Sequence, residues 1–286
     1  MKVLLALLLT IIGSPVFALN KTDISLFMRN DSAMYLNEVI SEVGDLFNAL
    51  GHHGPAVENE WLGFRIYFDH KAAIDVYSKT KHGLELRKTK WYPRPEQQKN
   101  GCGADYYKVG TTVGLGGIRL WDGEKVLPLN PVSSRYARVV KEGTVSFMEM
   151  LSKDVPYKGI FVDILVRVTV YSGIRNAKVE AFALSEREIQ FVTGINYYKG
   201  QKVVKKLNYI LTWGVHPEDI ASEKVEVGAA MLFNPDNFVG RFDDGCQYLF
   251  ISKPTKQLEY RITSANVKEA RINTFEKFQE FIIQNN

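Results

Sequence analysis

The chain has 286 residues, 45% of them hydrophobic and 24% charged, with a formal net charge of +4. That length and apolar fraction suffice for one sizeable core, and two cysteines cannot make a disulfide scaffold. Basic residues are scattered apart from Lys202, Lys205 and Lys206, which excludes the broad basic face of a nucleic-acid binder.

Residues 1–18 have the layout of a secretory signal. Lys2 is followed by an apolar run over 3–12, by the helix breakers Gly13, Ser14 and Pro15, and by Val16-Phe17-Ala18. Cleavage after Ala18 is expected, giving an exported protein, periplasmic or extracellular. The run is too short to span a bilayer, which takes about 20 residues. No second run of that length follows, so no transmembrane segment is expected.

Between 32 and 50, Leu36, Val39, Ile40, Val43, Leu46, Phe47 and Leu50 recur at helical spacing, with Gly51 as a stop. This predicts a helix within a separate N-terminal segment, 19–50. From there the pattern is β: strands are expected over 60–68, 72–78, 84–90, 113–121, 133–141, 144–151, 160–171, 178–184, 203–212, 225–233, 247–252 and 258–263. Over 160–171, Val162, Ile164, Val166, Val168 and Val170 form one apolar face. Phe161, Asp163, Leu165, Arg167, Thr169 and Tyr171 form the other, read as a concave or cleft-facing surface. A final helix over 274–283 buries Phe275, Phe278, Phe281 and Ile282. With no repeat or linker, residues 51–286 are expected to form one mainly-β domain, a large antiparallel β-sandwich, flanked by one N-terminal and one C-terminal helix. Cys102 and Cys246 sit in Gly/Asp-rich loops far apart, and spacing alone leaves their pairing open.

Four of the five histidines fall between residues 52 and 82. Gly51-His52-His53-Gly54-Pro55 places two imidazoles at a turn, with Glu58 and Glu60 just beyond, and leads into Phe64-Arg65-Ile66-Tyr67-Phe68-Asp69. On a strand, Arg65, Tyr67 and Asp69 share one face while Phe64, Ile66 and Phe68 point into the core. A turn holding titratable groups at a strand mouth is a common way to build a reaction site.

In order along the chain, several pieces resemble a family of secreted bacterial proteins from polysaccharide-utilisation systems, catalogued as domain of unknown function 4861. They are His52-His53-Gly54-Pro55-Ala56 with Glu58-Asn59-Glu60-Trp61, Arg65-Ile66-Tyr67-Phe68-Asp69, Ile74-Asp75-Val76-Tyr77, Gly103-Ala104-Asp105, Lys108-Val109-Gly110, Thr112-Val113-Gly114-Leu115-Gly116, Trp121-Asp122-Gly123, Phe191-Val192-Thr193-Gly194 and Trp213-Gly214. The chain departs from the pattern at Val215-His216-Pro217, where a small and then an acidic residue are expected. The resemblance implies a supersandwich similar to galactose mutarotase. It also implies work on uronate-containing oligosaccharides, by lyase or dehydratase chemistry.

β-Elimination beside a uronate carboxylate needs a base for the C5 proton, an acid for the departing oxygen, and cations to neutralise the carboxylate. His53 or His52 suits the first task, Tyr67 the second, and Arg65 with Lys108 the third. Glu58 and Glu60 are candidates to orient an imidazole, Asp105 to accept from a sugar hydroxyl, His216 to join the cleft, and Trp61 and Trp213 to stack on sugar rings. Each has a structural alternative: a turn histidine capping carbonyls, a surface Arg–Asp pair, a flexible loop, a core tryptophan. No metal-binding motif occurs, so no cofactor is expected; a divalent ion on the His/Glu set stays open. No nucleophilic-serine elbow is present either. The expected partner is an oligosaccharide substrate, with the oligomeric state unread. The rival functions are a non-catalytic glycan-binding protein and a mutarotase- or epimerase-like enzyme.

Overall fold

The structure, a computed structural model, describes residues 21–217, 221 and 223–285. The signal-like segment lies outside the described residues. The described residues begin with strands β1 (Asp23–Ser25), β2 (Phe27–Met28), β3 (Asp31–Tyr35), β4 (Glu38–Ser41), β5 (Ala56–Glu58), β6 (Leu62–Ile66) and β7 (Ile74–Ser78). Two short helices follow, α1 (Leu86–Thr89) and α2 (Pro95–Lys99). Next come β8 (Arg119–Trp121), β9 (Val126–Leu127), β10 (Ser134–Glu142), β11 (Val145–Tyr157), β12 (Ile160–Tyr171) and β13 (Ile174–Leu184). The last third holds β14 (Phe191–Asn196), β15 (Lys202–Lys205), β16 (Tyr209–Val215), β17 (Glu226–Leu232), β18 (Phe238–Asp243), β19 (Gln247–Ser252), β20 (Gln257–Asn266) and helix α3 (Phe275–Gln284).

A nine-stranded sheet, ordered β15-β16-β17-β20-β13-β12-β11-β10-β4, forms one layer. A four-stranded sheet, β1-β5-β6-β7, and a five-stranded sheet, β18-β19-β14-β8-β9, lie against it. The paired strands run antiparallel, as the alternating pattern implies. Val162, Ile164, Val166, Val168 and Val170 are buried in the main core with Phe64, Ile66, Ile74 and Val76 from the four-stranded sheet. The other face of β12 opens outward instead of lining a cleft: Phe161 is 70% exposed, and Arg167 pairs with Glu149 of the neighbouring strand. α3 packs on the outer face of β16 and β17, as its apolar periodicity requires, with the Thr274 side chain accepting from the Lys277 N–H as its N-cap. Gly228 allows that approach, since a Cβ there would meet the rings of Trp213 and Phe278.

The expected helix over 32–50 is absent. Residues 38–41 instead form β4, adding to the edge of the nine-stranded sheet with Arg135, Tyr136, Ala137 and Arg138 opposite Ser41, Ile40, Val39 and Glu38. An open edge beside β10 outweighs helical spacing, and Ile40 and Val43 stay exposed while Leu50 is buried. The expected strand over 84–90 is α1, because Glu58 accepts the N–H groups of Glu85 and Leu86 at the helix start. The run over 203–212 splits into β15 and β16, and 113–121 is strand only over Arg119–Trp121. Cys102 and Cys246 are free thiols, the first buried and the second exposed. Among the described residues, no helix is long and apolar enough to cross a membrane.

Candidate active site at the His52-His53 turn

The turn before β5 is backbone-strained. His52 and His53 both have positive φ, 42° and 67°, a region disfavoured for residues with a Cβ. Gly54 is required by a close approach, because a Cβ there would lie 1.9 Å from the Ile66 carbonyl oxygen. Arg65 helps to hold the turn, donating from Nη1 to the His52 carbonyl at 3.1 Å. Strain of this kind costs on the order of 1–3 kcal/mol per residue and persists where surrounding contacts enforce it.

The two imidazoles have opposite surroundings. His52 is buried between the rings of Phe27 and Trp91, with Nε2 2.8 Å from Ser25 Oγ. Burial, and then the charge of Arg65, lowers its pKa to about 3. His53 is half-buried and stacks on Phe47, ring centres 3.9 Å apart. Its Nδ1 lies 2.7 Å from the Phe47 carbonyl oxygen. A carbonyl only accepts, so Nδ1 carries the proton and Nε2 keeps its lone pair. Arg29 Nη2 also lies 3.3 Å from Nδ1, but both atoms are then donors and no bond forms. Burial lowers the His53 pKa, and the charges of Arg65, Arg29 and Lys71 push it the same way.

Arg65 and Tyr67 do share a face, but that face is covered rather than solvated. Trp91 and Tyr92, beyond α1, lie over it: the guanidinium carbon is 4.3 Å from the Trp91 ring centre and 5.5 Å from that of Tyr92. Arg65 donates to Asp75 Oδ2 from Nε at 3.0 Å and Nη2 at 2.6 Å, to Asp105 Oδ2 at 3.0 Å, and to the hydroxyls of Tyr67 and Tyr92 at 2.9 and 2.7 Å. Burial alone would depress its pKa; the adjacent carboxylate of Asp75, with Tyr67 and Asp105, outweighs this and holds it well above the ordinary value. The Tyr67 hydroxyl donates to Asp75 Oδ2 at 2.8 Å, and burial and that carboxylate keep its proton on. Asp69 lies past the strand and caps a turn, accepting from the N–H groups of Lys71 and Ala72.

The rim is formed by half-buried His53, Phe47, Lys71 and Tyr92 with exposed Arg29. Lys71 Nζ sits 4.8 Å from the Tyr67 ring centre and 5.3 Å from that of Phe47. His53 is 6.3 Å from Tyr67 and 6.1 Å from Tyr92, ring to ring.

The family model described as "Domain of unknown function (DUF4861)" matches residues 27–285. The chain belongs to this family. Its match begins well before residue 51, taking in the N-terminal strands. No curated protein matches the chain. Among solved structures, a putative aldose 1-epimerase from Klebsiella pneumoniae subsp. pneumoniae is similar at 7% identity and TM-score 0.42, covering 92% of both chains. A 4-alpha-glucanotransferase from Thermococcus litoralis is similar at 10% identity and TM-score 0.36, covering 74% of this chain. The chain spans 37% of that enzyme's length. At these scores the likenesses carry no argument about the reaction.

The remaining expected site residues of this family member, apart from Asp105, lie elsewhere. Glu58 is buried in a pair with Lys79, whose ammonium also donates to the carbonyls of Asn59 and Gly83, and serves as the α1 cap. Glu60 accepts from the Gly173 N–H. Trp61 stands beside His82 at the far end of β6. Trp213 packs on Phe278 under α3. Asp105 joins the Arg65 network. Lys108 meets His216 through its backbone, donating its N–H to Nδ1 at 3.1 Å. His216 is buried against Tyr107 and Tyr198, and burial lowers its pKa to about 3. Among the described residues no group of three or more His, Cys, Asp or Glu side chains is placed to hold a metal ion. Sequence reasoning missed Arg29, Phe47, Lys71, Asp75 and Tyr92 as members of the site. Only Asp75 had a usable signal, because pairing the expected strands around the 69–72 turn sets Arg65 opposite Asp75.

Proposed function

We propose that this chain is a carbohydrate-active enzyme acting on uronate-bearing oligosaccharides by β-elimination, with His53 moving the proton. The observation that carries the reading is the 2.7 Å approach of His53 Nδ1 to the Phe47 carbonyl oxygen, which assigns the tautomer. A half-exposed, neutral imidazole with its Nδ1 proton fixed on Phe47 offers a basic Nε2 at neutral pH.

In this reading Nε2 takes the C5 proton as the C5–H bond breaks, and the electron pair forms the C4–C5 double bond. The C4–O bond breaks, and the imidazolium returns the same proton to the departing oxygen, leaving His53 neutral. Arg29, exposed on the rim, and Lys71, which also pairs with Asp69 at 3.5 Å, neutralise the uronate carboxylate while negative charge develops on it. Arg65 is buried and committed to internal partners, so it acts as a positioning residue through the His52 carbonyl. Tyr67 donates its proton to Asp75, which favours a wall for the site over the acid role expected from sequence. The leader-like residues 1–18 support export.

The test is to incubate the protein with mixed uronic-acid oligosaccharides and follow the ultraviolet absorbance of unsaturated uronate. A steady rise with an acidic oligosaccharide is expected. Accelerated anomeric exchange without that rise would replace elimination with mutarotase-like chemistry, and binding with neither would leave a glycan-binding protein.

A further inference from the structure

We propose that the chain carries a second carbohydrate site, separate from His53, that binds an acidic sugar residue without turning it over. It lies at the other end of β6. Trp61 precedes that strand and Tyr67 follows it, so the six-residue step places them about 20 Å apart at 3.3 Å per residue.

A cavity of about 760 Å³ opens there, bounded by the 79–82 segment, the start of β13, the 269–272 segment and α3. Its lining includes the aromatic and apolar side chains of Trp61, Ile272 and Phe281. Trp61 is fixed in place. Asn59 Oδ1 accepts from the N–H groups of Trp61 and Leu62, while its Nδ2 donates to the Ile174 carbonyl. Glu60 ties the same turn to the Gly173 N–H at 3.0 Å. The indole is thus presented at the cavity by a turn pinned on both sides, which lowers the ordering cost of binding.

The charge lining the cavity is unbalanced. Of its cations, Lys79 is matched by Glu58 and Arg175 by Glu269. Lys81 and Arg271 remain, both exposed, with His82 beside the Trp61 ring. Lys81 donates to the Asn100 carbonyl, and Arg271 makes no ion pair among the described residues. A cavity lined by aromatic side chains and two unmatched cations suits a ligand with an apolar ring face and an anionic group, which is the chemistry of a uronate or sulfated sugar.

The probe is methyl β-glucuronide, with methyl β-glucoside and phenylacetate as controls. The four tryptophans give four indole N–H signals by nuclear magnetic resonance, and Trp61→Phe assigns that of Trp61. The glucuronide is expected to shift the Trp61 signal, at least about tenfold more tightly than the neutral glucoside, one charged contact's worth. Arg271→Ala and Lys81→Ala, both on exposed side chains, should each weaken the glucuronide about tenfold. His53→Ala should leave this binding unchanged, so the site stands or falls apart from the elimination reading. An unmoved Trp61 signal, equal binding of the glucoside, tighter binding of phenylacetate, or full affinity in the Arg271 and Lys81 variants would each overturn the proposal.

Discussion

At the Tyr67 end of β6 a buried Arg65–Asp75 pair stands behind a half-exposed imidazole. At the Trp61 end a buried Lys79–Glu58 pair stands behind a half-buried indole and the exposed Arg271. Both pairs are saturated with hydrogen bonds, as buried charges must be. They differ in what the surplus bonds hold. Arg65 reaches the carbonyl of the strained His52, so its pair enforces a conformation in which His53 meets solvent. Lys79 and Glu58 instead tie the 59 and 83 carbonyls to the start of α1, fixing the outline of a cavity. On the proposed function, one pair positions the reacting imidazole and the other a binding wall. A charged residue in the four-stranded sheet is not, by being charged, part of the chemistry.

Breaking either pair should have the largest effect on stability. Asp75→Ala leaves Arg65 charged and buried, and should cost about 3–5 kcal/mol in chemical denaturation. Glu58→Ala should cost a comparable amount while sparing the His53 turn, so turnover per folded molecule should fall only in the Asp75 variant. Equal turnover in both would erase the distinction between the two ends.

Acid titration sharpens the same contrast. His52 and His216 have folded pKa values lowered to about 3, so between there and about 6.5 the unfolded chain binds more protons. Stability should then fall as pH drops, by about 1.4 kcal/mol per pH unit for each histidine. Melting temperatures from pH 7 to pH 4 check this, and His216→Gln should flatten the profile. His53 is lowered in the same direction, so the acid limb of kcat/KM should lie below pH 6.5. A limb above that value would assign the proton transfer to another group.

The smallest expected effect is at the rim. Lys71→Ala should lower kcat/KM about tenfold, the loss of one charge-assisted contact, with recovery in Lys71→Arg. An unchanged value would remove Lys71 from the site.

Much of the sheet structure was legible because one face of a strand is read directly from alternation, as in Val162 to Val170. The 32–50 segment was not, since its helical spacing competes with an edge of β10 that no local pattern announces. At the site, the shared face of Arg65 and Tyr67 was visible two residues apart. That Trp91 and Tyr92 cover it was not, because they arrive from a turn some 25 residues later. The opposite fates of His52 and His53 were equally hidden, being set by Phe27 and Phe47 from the N-terminal segment.

The central claim, that His53 is the base, is tested most directly by His53→Gly. Glycine accepts the positive φ that strains the histidine, which offsets the lost Phe47 contacts, so the variant should remain folded. Its rate of unsaturated-uronate formation should nevertheless fall by about 10²–10⁴-fold. A folded His53→Gly protein that still forms the unsaturated product at the wild-type rate would contradict the account.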